Sequence, residues 1–393
     1  MQSKLTADVV IIGAGVNGLS AAFHLARMGV KKVIVVDRAY PAAGASSRGM
    51  GLLRTYHVNE PEAVLAIKSL DIFQHWKEII GGSCGFDQTG FLWLDHTRNR
   101  SKVEQSVAML TRLGARSEIL DEKALLDVQP HLAADDTIAV YEPGCGCAYG
   151  ALASDALCAA ARRLGVEVLT RTPVLELQQT SGRISGVVTA QGTIATDTVL
   201  LAAGAWTAPL ARTVGVSLPI YPRRLSIGRI HLAAPLKAPM TFLDGMFDTS
   251  FRPEGDQAAI ISMRDARYGA AIEPDDLHDD VEEAAIASGI ARLAKRIPTV
   301  AQAAGGRTWT GVDGFTPDYK GIYGRIKDLP GLHVCAGASE KGFKVSPAVG
   351  MGLAELIVDG HCDYIEHPAF SPERFTSDAA ASGTNSVRVD ELL

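Results

Sequence analysis

Residues 13–18 read GAGVNG, a G-x-G-x-x-G pattern that directly follows the apolar run VVII at 9–12. A β-branched run of this kind fits a parallel strand buried on both faces. Leu19, Ala22, Phe23, Leu25 and Ala26 then recur at helical spacing over 18–28, and Gly29 stands where a helix commonly ends. A second buried strand over 32–36 ends in Asp37. Strand, glycine turn, helix and strand form one βαβ unit, the context in which the motif has a physical purpose. Gly13 permits the tight turn, Gly15 lets the backbone approach a pyrophosphate, and Gly18 lets helix and strand pack closely. The pyrophosphate meets free N–H groups and the positive end of the helix dipole. Asp37 can accept hydrogen bonds from the adenosine ribose hydroxyls and would repel a 2′-phosphate. The pattern predicts a dinucleotide site and leaves FAD and NAD open.

A chain of 393 residues exceeds one compact core, so two domains are expected. Residues 61–80, 101–113 and 121–128 read as helices, the first ended by Gly81 and Gly82, while 86–94 reads as an aromatic strand. This stretch leaves the first domain. Helix 151–164 and strand 166–169 restore the α/β alternation, and the strands 198–203 and 332–336 and the helix 347–358 extend it. Ser181-Gly182 and Gln191-Gly192 mark two tight turns. From 219 to 272, strands and turns punctuated by Pro222, Pro235, Pro239 and Pro253 suggest a second, mainly antiparallel domain, followed by a helix over 281–297.

The formal net charge of −6 is small and the basic residues are scattered, which argues against nucleic acid and for a small-molecule partner. Cys145 and Cys147 are spaced C-x-C without a second ligand pair nearby, so no metal site is expected. No window approaches the roughly eighteen apolar residues of a membrane span. The first strand begins too close to Met1 to leave room for a signal peptide, and the six cysteines read as reduced thiols, so the expected location is cytoplasmic.

Residues 337–352 read GASEKGFKVSPAVGMG. This stretch resembles the C-terminal flavin motif of the D-amino-acid oxidase superfamily, and its GFKVSP core is most similar to the sarcosine oxidase branch. Residues 201–206 (LAAGAW) resemble that family's strand beneath the flavin, 307–324 (RTWTGVDGFTPDYKGIYG) its W-x-G, TPD and G segment, and 48–60 its substrate-side arginine loop. The likeness runs from Ala7 to about Ile357, with the middle domain matching in outline.

The resemblance implies an α/β fold with a discontinuous Rossmann-type FAD-binding domain at 1–80, 145–215 and 325–365. It adds an α+β substrate domain at 81–144 and 216–324, built on a mainly antiparallel sheet, and a tail at 366–393. It implies oxidation of the C–N bond of a small amino acid or amine to an imine that water hydrolyses, with oxygen or another acceptor reoxidising the flavin. The cofactor contacts it implies are Gly13, Gly15, Val16, Asn17, Gly18, Asp37, Arg38, Ser46, Ser47, Arg48, Gly51, Leu52, Val174, Ala203, Gly204, Trp206, Gly311, Gly337, Lys341, Gly342, Phe343 and Lys344.

Arg54 in LLRTYH and Lys344 in GFKVSP stand where sarcosine oxidases place a carboxylate-binding arginine and lysine. Arginine supplies a bidentate grip and lysine a point charge. Gly311 falls where monomeric sarcosine oxidases carry a flavin-linked cysteine, which implies non-covalent FAD. Asp313 stands near a carboxylate-binding arginine of glycine oxidase and D-amino-acid oxidase. An anion there is expected to face a cationic part of the substrate or to pair with an arginine such as Arg264. Tyr56 and His57 are candidates for the pocket wall, His57 with a catalytic role. Residues 251–264 contain no counterpart of the oxygen-activating lysine of monomeric sarcosine oxidases, which keeps a dehydrogenase reading open.

Assembly is also open, between a homo-oligomer and a flavin-carrying subunit of a hetero-oligomer. An NAD(P)-dependent reductase would be colourless and would not use the GFKVSP motif. A non-catalytic nucleotide-binding module would leave Arg54 and Lys344 without a purpose.

Overall fold

The computed structural model describes residues 5–263, 267–278 and 281–375. Val9–Ile12 is fully buried and lies inside a six-stranded sheet of order 322–325, 332–336, 199–201, 9–12, 33–36, 167–169. All of these pair in parallel except Ile322–Arg325, which runs antiparallel to Leu332–Ala336. The β-branched run is explained by the layers on either side. Val9, Ile11, Val33 and Val35 face a helical layer, and Val10, Ile12, Ile34 and Val36 face a small four-stranded sheet. Burying each of these side chains contributes about 2 kcal/mol, so a polar residue at any of them would be strongly destabilising.

The helical layer is made by Val16–Arg27, Gly150–Arg163 and Gly342–Val358. Val16–Arg27 and Gly342–Val358 cross at Gly350, where an added Cβ would come within 2.2 Å of Ser20 Oγ. Gly29 adopts φ +91° and ends the first of these helices, as its position implied.

The second sheet has eight strands, in the order 304–315, 221–231, 258–262, 249–253, 241–244, 91–96, 137–142, 118–120. Every pairing is antiparallel except that between Thr241–Asp244 and Phe91–His96. Leu92 and Leu94 point to the layer containing helix Glu283–Leu293. Phe91 and Trp93 point to the opposite layer with helix Arg100–Arg112. Further along that second face, Leu225, Ile227 and Ser262 border the large cavity described below.

Four elements differ from the sequence expectation. The helix predicted over 61–80 breaks at His75, whose φ of −109° and ψ of 28° separate Glu60–Gln74 from Trp76–Ile79. The helix predicted from Pro347 begins at Gly342 instead. Pro347 cannot donate to the Phe343 carbonyl, and the Ser346 hydroxyl takes that carbonyl at 2.8 Å. Ala304–Phe315 is a twelve-residue strand that its glycine-rich sequence concealed. Finally, the start of the expected tail is docked, with Phe370 buried against the Tyr323 ring, whereas residues 376–393 lie outside the described residues. All six cysteines are buried free thiols. Among the described residues no helix is long and apolar enough to cross a membrane, and no three His, Cys, Asp or Glu side chains gather as a metal site.

Candidate active site

A cavity of about 840 Å³ opens where the carboxyl ends of strands 9–12, 33–36, 199–201 and 332–336 meet the eight-stranded sheet. This is where open α/β sheets bind ligands. At one end lies the glycine turn. An added Cβ at Gly13 would come within 2.4 Å of the Ala202 carbonyl oxygen, and one at Gly18 within 2.1 Å of the Gly13 oxygen. Gly15 differs, because its Cβ would meet only Ser46 Oγ, at 3.2 Å, and its backbone borders the cavity.

The Val16 N–H donates to Ser46 Oγ at 3.0 Å, and the first turn of this twelve-residue helix carries no acidic residue. Asp37 accepts from the Ala14 and Ala39 N–H groups, each at 2.7 Å, which fixes its carboxylate at the cavity edge with lone pairs to spare. Beside it the Arg38 guanidinium lies over the Trp206 ring, 5.2 Å from the centroid. Arg38 and Trp206 both donate to Asp275, at 2.6 and 2.9 Å. A helix N-terminus, a side-chain-free approach at Gly15 and a ribose-height carboxylate fit the adenosine diphosphate of FAD.

Arg54 and Lys344 line the same cavity as buried basic side chains. The Arg54 guanidinium donates to the Tyr56 carbonyl, and burial brings its pKa down to about 10, with Glu142 and Glu62 opposing the fall. Arg54 therefore stays charged at neutral pH. Burial, then Arg54 and Lys341, hold the Lys344 ammonium well below the usual lysine range. Lys341, also in the wall, is neutralised by Glu62 at 2.5 Å. Asp313 is half-buried in the cavity wall and accepts from the Gly314 and Glu340 N–H groups at 2.8 and 2.7 Å. Burial raises its pKa, and those two N–H bonds and Lys344 limit the rise.

Most of the expected contacts converge on this cavity. Gly13, Gly15, Val16, Asn17, Asp37, Arg38, Ser46, Arg48, Gly51 and Leu52 line it, as do Val174, Ala203, Gly204, Trp206, Gly311, Gly337, Gly342 and Phe343. Gly18 and Ser47 do not, Gly18 because it packs under the turn. His57 is a correction. It is fully buried behind the wall, with its ring 3.7 Å from Glu62, and burial followed by the Arg54, Lys344 and Lys341 charges hold its pKa well below the usual value. Tyr56 packs on Trp93 rather than lining the pocket. Arg264, the suggested partner of Asp313, lies outside the described residues.

Sequence reasoning missed Glu340 and Tyr268, whose hydroxyl donates to Glu340 at 2.8 Å inside the cavity. Ser339 and Glu340 are consecutive non-glycine residues with φ of 50° and 65°, and no local signal announces that. It also missed Ser262, which strand 258–262 presents to the cavity. Among the described residues, the lysines of the cavity wall are Lys341 and Lys344.

The family model "FAD dependent oxidoreductase" (DAO) matches residues 8–356. The 4-methylaminobutanoate oxidase (formaldehyde-forming) of Paenarthrobacter nicotinovorans is 26% identical over 89% of this chain and 43% of its own length. The chain thus spans less than half of that relative. The sarcosine oxidase subunit beta of an Arthrobacter species is 26% identical over 95% of this chain and 92% of its own. The glycine oxidase of Geobacillus kaustophilus is 27% identical over 89% of this chain and 92% of its own. The crystal structure of that glycine oxidase superposes with a TM-score of 0.81 at 25% identity, over 95% of this chain and all of the other. With a family model spanning nearly the whole Rossmann unit, both sheets and the C-terminal motif, the chain belongs to the DAO family of FAD-dependent oxidoreductases.

Proposed function

We propose that this enzyme oxidises the C–N bond of a small amino acid, with N-methyl and other secondary amino acids the best fit. The observation that carries the reading is one cavity whose lining includes both the dinucleotide cradle and the buried basic side chains Arg54 and Lys344. Relatives named for 4-methylaminobutanoate and sarcosine support an N-methyl amine carrying a carboxylate.

Bound FAD would supply the two-electron acceptor for a hydride from the carbon beside nitrogen. The side chains of this chain supply the rest. Arg54 offers a charged donor pair to the carboxylate, held in place by Tyr56, and Lys344 adds a second positive contact. Fixing the carboxylate in this way sets the position of the adjacent carbon, which is where orientation lowers the barrier. The apolar side chains of Leu225, Ile227 and Leu243 keep that region dry, strengthening each electrostatic contact. The imine product is hydrolysed by water.

Gly311 in the wall offers no thiol where monomeric sarcosine oxidases carry a flavin-linked cysteine, which supports non-covalent FAD. A second reading is favoured by the lack of a lysine in residues 251–264 and by the resemblance to a sarcosine oxidase subunit. In that reading the chain is the flavin-carrying subunit of a hetero-oligomer and passes electrons to an acceptor other than oxygen. The test is turnover of sarcosine, N-methylalanine and proline with product analysis. The reading expects a carbonyl compound and a released amine, or a cyclic imine from proline. Failure of every amino acid with an artificial electron acceptor present would refute it. Turnover with that acceptor but not in air would favour the second reading.

A further inference from the structure

Lys344 is only 8% exposed, yet its ammonium makes no hydrogen bond or ion pair among the described residues. A buried cation left this way is built to receive an anion. Asp313 lines the same cavity, and Lys344 lies close enough to help hold its carboxyl down without forming an ion pair with it. Each Asp313 oxygen accepts one backbone N–H, which aims the carboxylate and leaves a further lone pair on each oxygen. The pocket thus presents a positive and a negative group that do not satisfy one another. A zwitterionic amino acid, with its charges one carbon apart, bridges such a pair.

Resting on the function proposed above, we infer that Asp313 is the amine-side group of this pocket: its carboxylate binds the substrate ammonium and accepts one proton from it. An N–H bond breaks, an O–H bond forms on Asp313, and nitrogen keeps the electron pair. That pair is required before the neighbouring carbon can release a hydride, because an ammonium has none to donate. Burial shifts the Asp313 carboxyl upward, which makes its carboxylate a stronger base than an exposed one. The groups around it are Lys344 on helix 342–358, Glu340 on the preceding turn and Tyr323 on strand 322–325. Arg223 is its register partner on strand 221–231, but that guanidinium turns away to the Gly269 carbonyl.

The experiment is calorimetric titration of the FAD-loaded enzyme with trimethylglycine, which carries a carboxylate and a fixed cation and has no proton to give. Wild type binds it, Asp313→Asn loses at least about tenfold in affinity, and Asp313→Glu recovers part of the loss. Retained FAD content shows that each variant is folded. A second readout is the pH profile of anaerobic flavin reduction by sarcosine. The second-order rate constant of wild type stays level well below the pKa of the free amine. That of Asp313→Asn climbs about tenfold per pH unit until the amine itself deprotonates. Equal trimethylglycine affinity in wild type and Asp313→Asn, no binding to wild type, or identical pH profiles would each overturn the assignment. Binding of trimethylglycine that depends on Asp313, together with no reduction by any amine, would instead refute the oxidation reading.

Discussion

Replacing Gly15 with alanine should separate cofactor binding from folding. Gly15 has φ −73° and ψ 171°, which any residue adopts, and the added Cβ would meet only the Ser46 hydroxyl, at 3.2 Å. That hydroxyl need yield by a few tenths of an ångström. Lower unfolded-chain entropy returns about 0.4–1 kcal/mol, so the melting temperature of the apoprotein should stay nearly unchanged. The methyl group, however, would stand in the cavity where a pyrophosphate approaches the backbone. Loss of one charge-assisted hydrogen bond costs about 1.5–3 kcal/mol, or roughly 10- to 150-fold in FAD affinity. Gly18→Ala makes the contrast. Its Cβ would lie 2.1 Å from the Gly13 oxygen, so helix and turn must separate by about 1.3 Å to reach an ordinary 3.4 Å contact. Both stability and FAD affinity should then fall. The assay is quenching of FAD fluorescence on titration with apoprotein, beside a thermal melt without FAD. Wild-type FAD affinity in Gly15→Ala, or equal thermal losses in the two variants, would refute the assignment of separate roles to the glycines.

Other consequences follow from the charged groups. Burial lowers the Lys344 pKa, so its ammonium is lost at a lower pH than usual, and acetate held by that ammonium should lose affinity as pH rises. Lys344→Met should lose about tenfold in acetate affinity, measured by perturbation of the flavin spectrum, along with much of that pH dependence. Arg296 pairs with Asp244 at 2.6 Å with both side chains almost fully buried, so Arg296→Met should cost about 3–5 kcal/mol in chemical denaturation. A cost below about 1 kcal/mol would mean that Asp244 finds another partner. Acid precipitation should leave the flavin in the supernatant, since Gly311 provides no attachment; flavin in the pellet would contradict non-covalent binding.

The dinucleotide cradle was legible because its determinants are local. Gly13, Gly15, Gly18 and Asp37 act through a turn, a helix end and a strand end within one βαβ unit. The pairing of Arg54 with Lys344 came from motif resemblance, and packing brings both to one cavity. What stayed hidden depends on distant contacts. Glu62, read as an ordinary helix residue, neutralises Lys341 because helices 60–74 and 342–358 pack together. His57 follows Arg54 closely in sequence yet turns into the core, so proximity along the chain misplaced it. The turn at Ser339 and Glu340 is held by Asp313, 27 residues before Glu340, so neither half is visible alone. Pro347 misled in the usual direction, since a proline more often starts a helix than sits within one.

The most direct test of the account is anaerobic mixing of the purified, FAD-loaded protein with sarcosine, other N-methyl amino acids and proline while the visible flavin bands are followed. The account predicts bleaching by at least one of them in wild type, with Arg54→Met and Lys344→Met each requiring far more substrate for the same rate. Flavin bands that none of these compounds bleaches, or bleaching that ignores both cations, would contradict it.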